Sequence, residues 1–213
     1  MGEILNRNVA GRVIGEPVNV PQNPAPRVCD RRTIFLTWRL KGSLPNGFAG
    51  SLTADANLLA SQEFRYLDWT LDSALCGPVW LRDPRIGRFV AERLVRGQAI
   101  SLQYELHAFV IMPNHVHMLL TPTVPLRALS DGLKGSIARV ANRLLGRRGA
   151  RFWEDESFGQ WVRDGAQFAR AKNYIERNPV RAGLVSNPEI WPWSSARPVI
   201  KPLQRPPRMS LAG

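Results

Sequence analysis

The sequence predicts an α+β fold of the ferredoxin-like or RRM-like type, with helices packed mainly on one face of an antiparallel sheet. Three observations predict it. Residues 33–40 alternate between apolar and other positions, as a strand does. Two apolar segments flank Pro113-Asn114, as in a hairpin, and segments with helical periodicity precede and follow that hairpin. The resulting order of strand, helix, strand, strand and helix is typical of this plan.

The first half of the chain supplies a strand, an insert and a helix. In residues 33–40 the apolar positions lie on one face, which indicates a strand with one richly apolar side. Residues 41–78 are expected to form an insert that contains a short helical segment. A helix is predicted from Asp83, because Pro84 suits a first turn, and Gly97 is the expected end of that helix.

The second half supplies the hairpin and two further helices. Residues 104–112 are almost continuously apolar, which indicates a buried central strand, and residues 115–121 form the returning strand. Residues 126–145 show strong amphipathic periodicity. Residues 152–164 are expected to be irregular. Residues 167–178 are predicted to form the last helix, which Pro179 should end.

Length and composition indicate one globular domain. The 213 residues are 44% hydrophobic, and no apolar run is long enough to span a membrane. We expect a domain at residues 31–196, between an extended arm at 1–30 and a basic, proline-rich tail at 197–213. The first residues lack the plan of a signal peptide and the two cysteines lack metal or redox spacing, so a cytoplasmic, nucleoid-associated protein is expected.

The charge balance favours a nucleic-acid partner. The chain carries 29 basic and 17 acidic residues, a net charge of +12. Such a surplus attracts polyanions through counterion release and long-range steering. Plain solubility is the alternative, although an acidic surface would serve solubility equally well.

Two of the three histidines form the motif His115-Val116-His117 on the predicted returning strand. Residues two apart in a strand point to the same face, so both imidazoles project together. Two convergent imidazoles make two-thirds of an open metal site, although such pairs also arise by chance. The position directly after Pro113-Asn114 favours the metal interpretation.

Tyr174 lies outside the core stripe of the last predicted helix and shares a stripe with Arg170 and Asn178. An amphipathic tyrosine at the core edge is the simpler interpretation. The alternative is a nucleophile that attacks phosphorus with the help of a metal held by His115 and His117. Asn178 is then placed to supply a third, oxygen ligand.

Basic residues close to Tyr174 and on the preceding amphipathic helix are the candidate phosphate contacts, since arginine binds phosphate in bidentate fashion. The same pattern also fits a solvated helix face. The candidates are Arg170, Arg177, Lys134, Arg139 and Arg143.

Two segments carry a family resemblance. Residues 110–120, VIMPNHVHMLL, resemble the HUH signature of the single-tyrosine transposases related to small bacterial insertion sequences. Residues 173–185, NYIERNPVRAGLV, followed by WPWSS at 191–195, are similar to the C-terminal hallmark of the REP-associated tyrosine transposases. Residues 152–164 resemble the family as well. The insert is longer than in many relatives, and Phe158 stands where relatives often have tyrosine.

The resemblance implies a metal-dependent DNA transposase. His115, His117 and Asn178 would bind Mg²⁺ or Mn²⁺, and Tyr174 would attack DNA to give a 5′-phosphotyrosine link and a free 3′-hydroxyl. The implied partner is single-stranded DNA that contains palindromic hairpins, with a monomer or a homodimer as the acting species. Two other functions stay open: a domesticated protein that binds repeats without cutting, and a metal-dependent hydrolase or RNA-binding module that would not need Tyr174.

Overall fold

Four strands and four α-helices follow one another in the described part of this computed structural model, which comprises residues 31–45, 62–74 and 76–197. In chain order they are β1 (Ile34–Arg39), α1 (Gln62–Ser73), α2 (Pro84–Ser101), β2 (Tyr104–Ile111), β3 (His115–Pro122), α3 (Leu126–Leu144), β4 (Phe158–Trp161) and α4 (Gly165–Arg181). The strands form an antiparallel sheet in the order β2-β3-β1-β4. The predicted arm at 1–30, most of the predicted tail and residues 46–61 of the insert lie outside the described residues.

The α+β class and the antiparallel sheet are confirmed. As expected, α2 and α3 pack on one face of the sheet through an apolar core that includes Leu36, Val90 and Ile137. The expectation that helices lie mainly on this face was incomplete, because α1 and α4 cover the opposite face through a second core that includes Phe35 and Ile175. The central strand β1 is therefore buried on both sides along its whole length.

The helix α2 continues past Gly97, where the sequence had predicted its end, and stops at Ser101. Gly97 is a packing position. A Cβ there would come within 2.2 Å of the Tyr104 hydroxyl oxygen, and this hydroxyl donates a hydrogen bond to the carbonyl of Leu94 at 2.6 Å. The absence of a side chain at this position thus lets the first residue of β2 close against the helix.

Two features of the C-terminal half differ from the sequence prediction. Part of the segment predicted to be irregular forms the short edge strand β4, which pairs with β1, and its four residues are too few to show an alternating pattern. The helix α4 continues through Pro179 to Arg181. Proline is tolerated here because only the last turn of the helix follows it, so a single backbone hydrogen bond is lost. This extra turn carries Arg181 towards the sheet face that α4 covers.

The segment that follows α4 returns to the sheet. The backbone N–H of Ile111 donates to the carbonyl of Trp193 at 2.9 Å, and the N–H of Ser195 donates to the carbonyl of Phe109 at 2.9 Å. The WPWSS sequence thus lies along the edge of β2 and fixes the end of α4 relative to the hairpin. None of the helices in the described ranges has the length and apolar character that a membrane crossing requires.

Candidate functional site

The side chains predicted to carry chemistry meet on the sheet face that α1 and α4 cover. Strand β3 contributes His115 and His117, whose ring centroids lie 4.6 Å apart. Helix α4 contributes Tyr174 and Asn178, one turn apart, and α1 contributes Asp68 from the opposite side. Both imidazoles and the Asn178 side chain are fully buried. The common face follows from the strand period of two and the helix period of 3.6.

His117 is held from two sides. Its Nδ1 lies 2.8 Å from the Thr37 hydroxyl, a neighbour across the β1–β3 ladder. Its Nε2 lies 3.0 Å from Oδ1 of Asp68. The ring also stacks on Phe35, with centroids 5.4 Å apart. These contacts fix the orientation of the imidazole, and they point Nε2 towards the space between β3 and α1.

His115 is oriented by its neighbour in the turn. Oδ1 of Asn114 accepts a hydrogen bond from Nδ1 of His115 at 2.7 Å, and the Asn114 amide donates to the carbonyl of Leu71 at 2.9 Å. Because Nδ1 carries the proton, Nε2 of the neutral ring keeps a free lone pair. Burial, followed by the nearby His117, lowers the pKa of His115 to about 3, so the ring is neutral at physiological pH.

The Tyr174 hydroxyl donates a hydrogen bond to Oδ2 of Asp68. Asn178 donates to the same oxygen at 3.4 Å, and the Arg181 guanidinium lies 4.5 Å above the tyrosine ring and 3.8 Å from the carboxylate. Burial and the charge of Asp68 raise the pKa of Tyr174 well above its ordinary value. The phenol is therefore protonated in this arrangement, and its proton points at a carboxylate.

Two carboxyl groups on α1 face the histidines in different electrostatic states. Burial opposes the ionisation of Asp68, but hydrogen bonding and charge interaction with His117 outweigh it and lower the pKa of Asp68 to about 2. Burial, together with the charge of Asp68, raises the pKa of Asp72 to about 8. Oδ1 of Asp72 lies 3.7 Å from Nε2 of His115. The first carboxyl is thus ionised, and the second is held at the edge of ionisation.

The donor atoms of this cluster fit a divalent metal ion. Within this cluster, three buried polar atoms have no hydrogen-bond partner among the described residues: Nε2 of His115, Oδ1 of Asp72 and Oδ1 of Asn178. Ligand atoms of Asp68, His115 and His117 lie within 4.8 Å of one another. A neutral imidazole nitrogen, a carboxylate and an amide oxygen are donors that Mg²⁺ and Mn²⁺ accept. A bound metal ion would provide the partner that these buried atoms lack.

The sequence named four of the residues that meet here, and it missed three. Asp68, Asp72 and Arg181 were not singled out. The spacing of four between the two aspartates on a helical insert was the available signal. Nothing in the sequence showed that this insert crosses the histidines, and Arg181 lies beyond the proline that was expected to end its helix.

The predicted phosphate contacts are divided between two faces of the sheet. Arg170 and Arg177 are exposed on α4, the helix of Tyr174, whereas Arg139 and Arg143 are exposed on α3, on the opposite face. Lys134 has structural partners instead. Its ammonium donates to the carbonyls of residues 154, 155 and 156 and to the hydroxyl of residue 157, at 2.7 to 3.3 Å. This side chain ties α3 to the segment before β4.

Comparison with known proteins finds one family. Residues 87–178 match the model of the family "Transposase IS200 like". No curated protein matches the chain.

Among solved structures, the chain is similar to a REP-associated tyrosine transposase bound to a REP hairpin, with 18% identity and a TM-score of 0.46 over 82% of this chain and 80% of the other. It is also similar to a candidate transposase from Deinococcus radiodurans R1, with 16% identity and a TM-score of 0.33 over 80% of this chain and 98% of the other. The segment at 87–178, which matches the IS200-like transposase model, holds both histidines, Tyr174 and Asn178.

Proposed function

We propose that this protein is an IS200-like transposase that cleaves and rejoins single-stranded DNA, with Tyr174 as the nucleophile and with His115, His117 and Asn178 as metal ligands. One observation carries the proposal. Tyr174 packs beside a buried pair of histidines, in a cluster where several metal-ligating atoms have no hydrogen-bond partner among the described residues. A tyrosine that served only to pack the core would not need a carboxylate and two histidines beside its hydroxyl. A hydrolase or RNA-binding module of the same fold would not need the tyrosine.

The reaction exchanges one phosphodiester bond for another. The phenolic oxygen of Tyr174 bonds to phosphorus while the bond from phosphorus to the 3′-oxygen breaks, and the leaving 3′-oxygen takes a proton to become a hydroxyl. The 5′ end remains attached as a phosphotyrosine, and attack by a 3′-hydroxyl on this link reverses the step and rejoins a strand. Bound Mg²⁺ or Mn²⁺ would polarise the phosphate and stabilise the negative charge of the transition state.

The residues around Tyr174 supply a proton acceptor and a positive charge, which a phenol needs to act as a nucleophile. A phenol with a raised pKa is a weak nucleophile, so its proton must leave as the new bond forms. Oδ2 of Asp68 already accepts the phenolic hydrogen bond and is ionised, which makes it the nearest acceptor for this proton. Arg181 lies over the ring, and its charge favours both the phenolate and an approaching phosphate.

The proposed partner is DNA with palindromic, REP-like hairpins beside unpaired bases. The net charge of +12 supports a polyanionic partner. Arg170 and Arg177 are exposed on the helix of Tyr174, where flanking phosphates would pass. On the outer side of α1, the rings of Tyr66 and Trp69 stack at 6.2 Å, and each side chain is 58% exposed. Exposed aromatic rings beside basic residues are what unpaired bases stack on.

The experiment that tests this function uses a labelled single-stranded hairpin taken from repeats near the gene, incubated with protein and Mn²⁺ and separated on a denaturing gel. The wild-type protein should give a shortened strand and a protein–DNA adduct that resists SDS. Tyr174→Phe and His117→Ala should give neither product. Tyr104→Phe, which removes the hydroxyl of a tyrosine in the core under α2, should leave the adduct in place.

Hairpin binding without an adduct under any divalent metal would contradict the nuclease proposal and favour a repeat-binding protein. Cleavage that persists in Tyr174→Phe would instead favour a metal-dependent hydrolase, because hydrolysis by a metal-activated water needs no tyrosine.

A further inference from the structure

We propose that the insert helix α1 supplies two carboxylate ligands, Asp68 and Asp72, to the metal ion held by the histidine pair. This inference rests on the proposed metal-dependent function, and it adds a second element of the chain to the ligand set. The metal site would then be built from a strand and an insert that is far from it in sequence. Asn178 would complete the set from α4.

The spacing between Asp68 and His117 is that of two ligands on one ion. Adjacent ligands of an octahedral Mg²⁺ or Mn²⁺, at about 2.1 Å from the metal, lie about 3 Å apart. Oδ1 of Asp68 and Nε2 of His117 are 3.0 Å apart. Both side chains are buried, so the pair is shielded from water, and the other carboxylate oxygen remains directed at Tyr174.

The evidence for Asp72 is its contact with His115, which adjoins the group of Asp68, His115 and His117 atoms that lie within 4.8 Å of one another. Nε2 of His115 and Oδ1 of Asp72 lie 3.7 Å apart, beyond a hydrogen bond, and neither has a partner in the described part of the chain. Leaving two buried polar atoms unpaired is costly, and native proteins avoid it. A cation between them would satisfy both atoms. The amide oxygen of Asn178, in the same cluster, is also buried without a partner among the described residues.

Helix α1 is anchored so that its carboxyl groups stay in place. Asp68 and Asp72 lie one helical turn apart on one face. The same side of the helix buries Phe64, Leu67 and Leu71 in the core that it shares with α4 and the sheet. The predicted ligand set thus contains two or three oxygens and two nitrogens, which favours Mg²⁺ or Mn²⁺ over the nitrogen- and sulfur-preferring Zn²⁺.

The first measurement is calorimetric titration of the protein with Mn²⁺. Asp68→Asn and Asp72→Asn keep the shape of each side chain and remove its charge, and each should weaken Mn²⁺ binding by at least about tenfold. Asp131→Asn is the matched control, since Asp131 is an exposed aspartate on α3 with a side chain that is 70% exposed. It should bind Mn²⁺ as the wild type does.

His117→Ala separates the two proposals. If the wild type binds no Mn²⁺, the proposed metal-dependent function fails. If the wild type binds Mn²⁺ and only His117→Ala loses it, while both asparagine variants keep the wild-type Kd, the histidine site stands and the role of α1 is refuted.

A second variant guards against misfolding of the asparagine variants. Asp72→Cys, in a background where Cys29 and Cys76 are replaced by serine, places a soft thiolate at the proposed ligand position. One equivalent of Cd²⁺ should then give a sulfur-to-metal charge-transfer band in the ultraviolet that the cysteine-free parent lacks. Absence of this band in a folded Asp72→Cys protein that still binds Cd²⁺ would overturn the assignment of Asp72.

Discussion

The two faces of the sheet are built on different principles. The face under α2 and α3 is packed almost entirely with apolar side chains, from Ile34 and Trp38 on β1 to Ile137 on α3. The face under α1 and α4 has a smaller apolar core, and it buries His115, His117 and their polar partners beside that core. Burying titratable groups costs free energy unless each finds a partner. The first face therefore contributes more to the stability of the domain than the second, which buries the side chains of the candidate site.

The difference is visible within single strands. Along β3, Val116 and Met118 point into the apolar face, while His117 points to the other face and meets Thr37, Asp68 and the ring of Phe35. Strand β3 thus contributes side chains to both faces of the sheet. Substitutions on one face at a time can therefore test whether stability and activity depend on different faces.

The sharpest test compares two fully buried isoleucines, Ile137 on α3 and Ile175 on α4. Replacing either with alanine removes about three buried carbon atoms and should lower the free energy of unfolding by about 2–5 kcal/mol. Only Ile175→Ala should also reduce the yield of the covalent adduct at a temperature where both variants are folded, because Ile175 adjoins Tyr174. Urea denaturation and the gel assay measure the two effects. An equal loss of adduct in both variants would show that the faces are not independent.

A glycine pair tests the packing of the apolar face. Gly97→Ala would drive a Cβ into the Tyr104 ring and should lower the free energy of unfolding by about 1–3 kcal/mol. Gly132→Ala on α3 meets nothing within 4 Å, and it should raise the free energy of unfolding by about 0.5–1 kcal/mol, since alanine favours the helix. Equal effects in urea denaturation would mean that Gly97 ends the helix in solution, as the sequence alone had predicted.

The sequence predicted one face much better than the other. The apolar periodicity of α2 and α3, and the strand period that carries His115 and His117 together, follow from local patterns that a single chain displays. The placement of Asp68 does not, because it depends on an insert of mixed composition folding back across the sheet. The sequence prediction missed Arg181 for a related reason. A proline usually ends a helix, and only the structure shows that α4 continues past Pro179 to Arg181.

The exposed surfaces of the two faces should also differ in DNA binding. Trp69, which stacks on Tyr66 outside α1, lies on the helix that covers the site, whereas Ile100 on α2 is 77% exposed on the other face. Trp69→Ala should weaken binding of single-stranded DNA by about 1–3 kcal/mol, the usual contribution of one stacked base. Ile100→Ala should have no effect. Fluorescence anisotropy with a labelled oligonucleotide measures both, and equal affinities of the two variants would rule out stacking at Trp69.

The smallest expected effect concerns Lys134, a partly buried cation on α3. Burial lowers its pKa from 10.5 to about 8, although the charges of Asp131 and Asp155 oppose the shift. Because the unfolded chain binds this proton more tightly than the folded protein, stability should rise between pH 8 and pH 10.5. Lys134→Met should lack this rise. Urea denaturation of both proteins across the range measures the difference in slope, and parallel curves would mean that the four hydrogen bonds of Lys134 keep its ammonium charged throughout.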